Sequence, residues 1–362
     1  MDNNYLLEGM EVIMYTYILA FVTSLIITFL VTPYIKNISI TIGAIDHPNH
    51  RRINSRSIPN IGGLAIYFGF VAAILLFAPL NKMLIGILIG GTLILILGLI
   101  DDLYEISPLL KVLGQITAAG VLILFGVKIQ FITNPFGGMF YLSYWGIPLT
   151  ILWIVAITNT INLIDGLDGL AAGVATIAVL TLFFVALQEG RILPAVMAIT
   201  LAGSSLGFLN YNFYPAQIFM GDTGAMFSGY ILAAISIVGA LKSAAVVTVF
   251  VPLLALGIPI FDTIFAIIRR LYHNKPLGKA DHGHIHHRLL ALGWSQTEAV
   301  LIVYGISVML GLMALVINGS SLINAVLLFG LIVIVVGIGA WKLGVFTVEL
   351  PAEGTRLEKN NI

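Results

Sequence analysis

The chain has 362 residues, of which 59% are hydrophobic and 9% charged, and its formal net charge is zero. Soluble domains are rarely so apolar, and uninterrupted Leu, Ile and Val runs differ from the alternating pattern of a membrane β-barrel. The absence of cysteine excludes disulfides and thiol chemistry, and the neutral charge gives no general attraction to nucleic acid.

Long apolar runs predict an all-α polytopic membrane protein with about eleven transmembrane helices, because lipid-facing backbone must satisfy its own hydrogen bonds. The first run is too long for a signal-peptide core and is expected to remain as a span. We expect one integral-membrane domain over residues 1–345 and a disordered polar tail over 346–362. The predicted spans cover roughly residues 12–36, 60–79, 83–100, 109–127, 145–163, 170–187, 192–210, 224–241, 244–268, 297–317 and 321–341.

Lysine and arginine predict the orientation, because short loops rich in these residues stay in the cytoplasm. With the loop after the first span placed in the cytoplasm, thirteen of the seventeen basic residues lie on that side. The N-terminus is then outside and the C-terminus cytoplasmic. Four polar clusters also fall on the cytoplasmic side, at residues 101–102, 159–168, 210–222 and 281–287.

The first two clusters are acidic. Asp101 and Asp102 follow the third span, and by themselves they fit either a solvated helix end or a metal- or phosphate-handling site. In NTINLIDGLDGLAAG, Asn162, Asp165 and Asp168 are spaced three apart, which places them along one face of a helix. Buried carboxylates without partners are costly, so this second cluster indicates a function.

The third cluster, NYNFYPAQIFMGDTGAMFSG, precedes the eighth apolar run. Asp222 lies between glycines, where it either caps a helix or holds a hard cation. Asn212 and Phe213 are candidates for contact with a nucleotide.

The fourth cluster, DHGHIHHRLL, holds His282, His284, His286 and His287, which are four of the seven histidines of the chain. The cysteine or Glu-x-x-His partners of a zinc site are absent. Phosphate binding and acid–base chemistry, with Arg288 alongside, suit the cluster better.

Taken together, the clusters favour phosphoryl transfer. Carboxylates repel an anionic substrate, so an acidic site that faces phosphates implies Mg²⁺, or else Mn²⁺, between them. Arg51, Arg52, Arg56 and Lys111 are then available for the phosphate oxygens that the metal does not reach. Positioning and charge neutralisation supply most of the catalysis in such reactions.

The motifs NTINLIDGLDGLA, NFYPAQIFMGDTGA, PIFDTIFAIIRR and HGHIHHRLL resemble those of the polyprenyl-phosphate N-acetylhexosamine-1-phosphate transferases. With DHPNHRRINSRSIPNIGG and the paired aspartates, the resemblance covers residues 46–293. The branch that uses UDP-MurNAc-pentapeptide has three consecutive histidines, whereas the His-x-His-His pattern here is similar to the branch that uses UDP-GlcNAc. Asn54 and Asn60 depart from the basic residue or histidine of many relatives, which leaves the contacts of this loop with substrate open.

The resemblance implies a reaction in which undecaprenyl phosphate attacks the β-phosphate of a UDP-N-acetylhexosamine and UMP leaves. It implies a multi-pass protein of the bacterial inner (plasma) membrane whose active site faces the cytoplasm. The product would enter cell-wall, teichoic acid or lipopolysaccharide synthesis. Neither the amino sugar nor the oligomeric state follows from the sequence, and a homodimer is compatible with it.

By the same resemblance, Asn162 and Asp222 are expected to bind Mg²⁺. The expected catalytic residues are those that handle the lipid phosphate, shape the nucleotide–metal site or bind the diphosphate: Asp101, Asp102, Asp165, Asp168, His284, His286 and His287. The expected substrate-binding residues are Arg51, Arg52, Lys111, Asn159, Asn212, Phe213 and Arg288.

Other functions stay open at this stage. The UDP-MurNAc-pentapeptide phosphotransferase of peptidoglycan synthesis shares the motifs. A secondary transporter would place its polar residues near the bilayer midplane rather than at span ends. A CDP-alcohol phosphotransferase would need an arginine and further aspartates after Asp168-Gly169, and a non-catalytic scaffold would have little use for the polar clusters.

Overall fold

The computed structural model describes residues 3–47, 56–133, 139–240, 250–272, 283–342 and 344. These residues form thirteen α-helices and two small antiparallel hairpins. The helices are α1 (Asn3–Ile42), α2 (Gly63–Phe77), α3 (Lys82–Tyr104), α4 (Pro108–Leu124), α5 (Gly146–Ile164), α6 (Leu170–Gln188), α7 (Ile192–Asn212), α8 (Gly221–Ala240), α9 (Phe250–Ala255), α10 (Gly257–Tyr272), α11 (Ile285–Ala291), α12 (Gln296–Asn318) and α13 (Leu322–Lys342). The strands are β1 (Ile45–Asp46), β2 (Ile58–Pro59), β3 (Phe131–Thr133) and β4 (Met139–Tyr141).

The fold is that of an all-α, polytopic membrane protein. Among the described residues, eight helices are long and apolar enough to cross a membrane, and α2 and α4 are shorter apolar helices. Each of the eleven predicted runs contains helix, but the number of true spans and the orientation stay predictions. One run differs: the segment predicted as a single span over 244–268 is broken at Leu256 into the six-residue α9 and the sixteen-residue α10 in its described part.

Helices α6, α7 and α8 form the centre of the bundle. Most of their residues are buried, and α7 packs against α1, α2 and α6 while α8 packs against α3 and α5. The central helices are rich in Gly, Ala, Ser and Thr, whose small side chains allow helices to approach closely in lipid. At the edge, α13 packs mainly on α12 and buries few of its residues fully, as expected for a lipid-facing helix.

The short elements lie at the two ends of the bundle. Hairpin β1–β2 connects α1 to α2, with Ile45 opposite Pro59. Hairpin β3–β4 and the 3-10 turn after it connect α4 to α5, and they expose Tyr141, Tyr144 and Trp145. Such an aromatic group is typical of a membrane–water interface.

Candidate active site

A lysine bridges two aspartates where four helix ends meet. The Lys111 ammonium contacts Asp101 Oδ2, and it lies 2.6 Å from Asp222 Oδ2. The Asn162 amide Nδ2 lies 3.4 Å from the same Asp222 oxygen. We call these four residues the acidic centre. It joins the C-terminal ends of α3 and α5 to the first turns of α4 and α8.

Local sequence signals place the lysine beside the two aspartates. Asp101 lies in the last turn of α3, and its Oδ1 accepts a hydrogen bond of 2.9 Å from Ile106 N. The Ser107 side chain caps α4, and Pro108 occupies the first helical position. The turn between α3 and α4 is therefore short and fixed, so the first turn of α4 returns Lys111 to the end of α3.

Asp102 caps α8 from the neighbouring helix α3. Its Oδ1 accepts from Asp222 N at 2.8 Å and from Asn60 Nδ2 at 3.1 Å. Its Oδ2 accepts from Thr223 N at 2.9 Å and from Thr223 Oγ1 at 2.5 Å. Gly221 has a φ of +68° and no room for a side chain, because a Cβ would collide with Asn60 O and Asp102 Oδ2. The carboxylate thus takes the role of an N-cap at the helix start that carries Asp222.

The prediction that Asn162, Asp165 and Asp168 share one helix face is wrong, because only Asn162 lies in α5. Asp165 and Asp168 lie in the loop between α5 and α6, in different environments. Burial, with a further contribution from the negative charges of Asp222 and Asp168, raises the pKa of Asp165 to about 7. Burial also raises the pKa of Asp168, but its Oδ2 accepts a hydrogen bond of 2.9 Å from Ala216 N. Asp168 therefore ties this loop to the segment after α7, whereas Asp165 faces other carboxylates.

Asn212 and Phe213 lie behind the same loop. The Asn212 side chain is 2% exposed, and it accepts from Gly169 N at 3.1 Å and donates to Ile218 O at 3.0 Å. The Tyr304 hydroxyl donates to Gly169 O at 2.5 Å, and the Phe213 ring packs near Gly169. In this structure Asn212 holds two loops together, and its amide groups are used internally.

Asn159 is also engaged inside the bundle. Its Nδ2 donates to Gln115 Oε1 at 2.6 Å and to Val155 O at 2.8 Å, and its Oδ1 accepts from Gln115 Nε2 at 3.3 Å. The pair connects α4 and α5 below the acidic centre. These contacts use both N–H groups and one of the two oxygen lone pairs of the Asn159 side-chain amide.

The histidine helix α11 lies against the loop of Asp165. The His286 ring is 2% exposed, and a Cβ at Gly166 would lie 2.5 Å from its Nε2. Only glycine at position 166 leaves room for the ring. Burial, followed by the neighbouring His287 and His284, holds the pKa of His286 well below its ordinary value. His286 is therefore neutral at physiological pH, and it can donate one hydrogen bond and accept another.

The remaining predicted residues lie around α11 or outside the described ranges. The His287 ring is half-buried, with its centroid 4.3 Å from that of His286. Arg288 is fully buried, and its Nε donates to Gly283 O at 3.1 Å, which places it inside the protein. Arg51 and Arg52 lie outside the described residues.

The acidic centre has the donor chemistry of a magnesium site. Two carboxylates converge on the position of one positive charge, the Lys111 ammonium, and the adjacent Asn162 offers an amide oxygen. Oxygen ligands of this kind suit Mg²⁺. Within the described ranges, the His, Asp and Glu side chains form no metal-ready group of three or more, so water and substrate phosphates would complete the coordination.

Sequence reasoning missed several residues that build the site. Asp262, Thr223, Gln115 and Tyr304 hold the predicted residues in place. Asp262 had a usable signal, because a carboxylate inside an apolar run is costly and indicates a specific partner.

The fold and the site define a multi-pass membrane protein that gathers carboxylate, lysine and histidine side chains at one end of a helical bundle. Residues 84–240 match glycosyl transferase family 4. The chain is 41% identical over 307 residues to the probable undecaprenyl-phosphate N-acetylglucosaminyl 1-phosphate transferase of Bacillus subtilis, covering 84% of this chain and 86% of that protein. It is 37% identical to the decaprenyl-phosphate N-acetylglucosaminephosphotransferase of Mycolicibacterium smegmatis, covering 78% and 77%.

A phospho-N-acetylmuramoyl-pentapeptide-transferase of Desulforudis audaxviator is more distant, at 30% identity over 73% of this chain and 86% of that protein. The chain therefore belongs to glycosyl transferase family 4. Its membership agrees with the resemblance of the motifs.

Proposed function

We propose that the protein transfers N-acetylglucosamine 1-phosphate from UDP-GlcNAc to undecaprenyl phosphate and releases UMP. The observation that carries this proposal is the acidic centre, where two carboxylates from different helices share one positive charge. The relatives from Bacillus subtilis and Mycolicibacterium smegmatis, both named as N-acetylglucosamine phosphotransferases acting on a polyprenyl phosphate, support the choice of substrates.

The reaction forms one bond and breaks one. A phosphate oxygen of undecaprenyl phosphate attacks the β-phosphorus of UDP-GlcNAc, and the bond from that phosphorus to the oxygen shared with the α-phosphate breaks. UMP leaves with this oxygen and its electron pair, and the lipid retains a diphosphate that carries the sugar. Bound Mg²⁺, held by Asp222, Asn162 and Asp101, would neutralise charge on the transferring phosphate.

The protein's own residues would position the reactants. The Lys111 ammonium is half-buried at the acidic centre and is available to a phosphate oxygen once a cation takes its place between the carboxylates. His286 offers a neutral imidazole beside Gly166. The Asp165 carboxyl, with a pKa of about 7, can accept or release a proton at physiological pH.

The activity test uses the purified protein in lipid nanodiscs with undecaprenyl phosphate. We expect UMP release and a lipid-linked sugar with UDP-GlcNAc, and loss of both when EDTA replaces Mg²⁺. UDP-GalNAc and UDP-MurNAc-pentapeptide are the matched alternative donors. UMP release only with the pentapeptide donor would assign the chain to the alternative reaction. No UMP release from any donor would overturn the proposal.

We further propose that the site faces the cytoplasm of a bacterial plasma membrane, as the distribution of basic residues favours. The chain has no cysteine, so single cysteines can be introduced without background. Tyr104 and Tyr144 are 76% and 84% exposed at opposite ends of the bundle. In intact cells, an impermeant maleimide should label Tyr144→Cys and spare Tyr104→Cys. The reverse pattern would place the site outside.

A further inference from the structure

Asp262 is a buried carboxylate on α10 whose two oxygens both serve the start of α11. Its side chain is 5% exposed. Oδ2 lies 2.7 Å from His284 Nδ1, and Oδ1 accepts a hydrogen bond of 2.9 Å from Ile285 N. Burial of a carboxylate is costly unless its oxygens are hydrogen-bonded, so the position of Asp262 depends on these two contacts.

The contact with Asp262 fixes which nitrogen of His284 carries a hydrogen. An ionised carboxylate can only accept hydrogen bonds, so Nδ1 must be the donor. Nε2 is then the nitrogen left to act elsewhere. The His284 side chain is 6% exposed, and its ring lies parallel to the His286 ring, with 5.8 Å between centroids. Asp262 thus sets both the orientation and the tautomer of the first histidine of the motif.

The packing of α11 against the bundle does not by itself explain why position 262 carries a buried charge. Ile285 and Leu289 bury their apolar side chains, and the Arg288 Nε donates to Gly283 O at 3.1 Å. Arg269 is also buried and packs against Gly283. These contacts hold the short helix in place, and a neutral side chain at position 262 would cap Ile285 N equally well.

We propose that Asp262 is a positioning residue that acts through His284, holding the imidazole so that Nε2 faces the diphosphate of the UDP-sugar. The inference rests on the proposed function, because the diphosphate is the group that His284 would serve. Partners that orient a metal-binding histidine in this way are worth about 10- to 100-fold in activity or affinity, and we expect an effect of the same size for a histidine that binds a diphosphate. In the sequence, Asp262 lies in an apolar run, twenty-two residues before His284.

The test variant is Asp262→Asn. The amide keeps the shape of the side chain, and its oxygen can still accept from Ile285 N. Its NH₂ group now points at His284 Nδ1, which forces that nitrogen to become the acceptor and reverses the tautomer. We expect kcat/KM for UDP-GlcNAc to fall about 10- to 100-fold, with the melting temperature little changed. The neighbouring isosteric change Thr263→Val is the control and should leave kcat/KM unchanged.

A double-mutant cycle separates positioning from docking. In a His284→Ala background, Asp262→Asn should cost less than about twofold, because the residue through which Asp262 acts is gone. A full cost in that background would overturn the proposal. The same cycle is run on the dissociation constant for UDP-GlcNAc in the absence of lipid acceptor, so variants with no turnover remain measurable. Equal weakening in both backgrounds, or none in either, would also overturn it.

A spectroscopic readout makes the outcome independent of the reaction. In protein labelled with ¹⁵N-histidine, His284→Ala identifies the His284 signals by their loss. The wild-type protein should carry the His284 hydrogen on Nδ1, and Asp262→Asn should move it to Nε2. If Nδ1 of His284 carries no hydrogen in the wild-type protein, this inference is overturned whatever the substrate is. If the hydrogen is on Nδ1 but the wild-type enzyme releases no UMP, the proposed function and the diphosphate as the group that His284 serves are overturned, and only the orientation of His284 by Asp262 remains.

Discussion

Replacement of Asp102 tests whether this carboxylate builds the start of α8. Asp102→Ala removes the acceptor from four donors on Asp222, Thr223 and Asn60, and Thr223 is fully buried. Hydrogen bonds to a charged group contribute about 1.5–3 kcal/mol each, and loss of an N-cap costs about 0.5–2 kcal/mol. Because bonds in one network are not additive, we expect a loss of about 3–5 kcal/mol.

Asp102→Asn is the finer perturbation. Its remaining oxygen can serve one pair of donors, while the new NH₂ group faces the other pair, so about half of the loss is expected. For a chain of this size, 1 kcal/mol corresponds to roughly 2 °C in melting temperature. We therefore expect the melting temperature to fall by about 6–10 °C for Asp102→Ala and by about half as much for Asp102→Asn.

Thermal unfolding in nanodiscs, followed by tryptophan fluorescence, measures these shifts. The matched control is Asp101→Ala, which removes one backbone hydrogen bond and the contact of Asp101 with Lys111, and leaves Lys111 its bond to Asp222. Asp101→Ala should lose more activity than Asp102→Asn and less stability than Asp102→Ala. An Asp102→Ala protein with wild-type melting temperature and no activity would refute the capping role and favour direct contact with substrate.

Three further perturbations probe the site. Lys111→Gln removes the positive charge between the two carboxylates of the acidic centre. The Mg²⁺ concentration for half-maximal activity should therefore fall, while kcat falls by about tenfold or more. A Mg²⁺ titration of UMP release measures both quantities. Gly166→Ala places a Cβ 2.5 Å from His286 Nε2 and should lower kcat/KM at least about tenfold, whereas Gly305→Ala, whose Cβ meets open space, should leave it unchanged. The pKa of Asp165 is raised from 3.8 to about 7 on folding, so its ionisation opposes folding increasingly as the pH rises between these values. Asp165→Asn should therefore raise the melting temperature at pH 8 in EDTA, show no gain near pH 4, and abolish UMP release; a gain independent of pH would contradict this cause.

The length of the apolar runs predicted most of the helices, because a long apolar segment in lipid must form a helix to satisfy its backbone hydrogen bonds. It did not reveal the break at Leu256 within residues 244–268, where Pro252, Gly257 and Pro259 interrupt a run that is apolar throughout. Hydropathy averages over such breaks, since proline removes a backbone donor without making the segment polar. The helix α10 that results is amphipathic, and it carries Asp262 to the base of α11.

The sequence also indicated which stretches are polar at span ends, and the structure brings members of all four clusters together at one end of the bundle. The sequence did not predict which individual residues hydrogen-bond to each other. Asp102 and Thr223 are 121 residues apart, and Gln115 and Asn159 are 44 apart. The sequence around either residue of a pair does not specify its partner, because the packing of the helices alone decides which helix ends meet. Asn159 and Asn212 were predicted as substrate contacts from their motifs, and that role stays a prediction; the sequence did not show that their amides also join elements of the protein.

The carboxylates of the site differ in what their partners can do. Asp102 and Asp262 accept hydrogen bonds from backbone N–H groups at helix starts, and Asp168 accepts one from Ala216 N in a loop. These backbone donors cannot move away to admit a cation or phosphate unless a helix turn or a loop unfolds. Asp101 also accepts from Ile106 N through its Oδ1, but its Oδ2 and Asp222 Oδ2 share an ammonium on a flexible four-carbon stem, which can move away and be replaced. Exchange of ligands is therefore confined to the acidic centre, and the backbone-bonded carboxylates hold the geometry in which that exchange takes place.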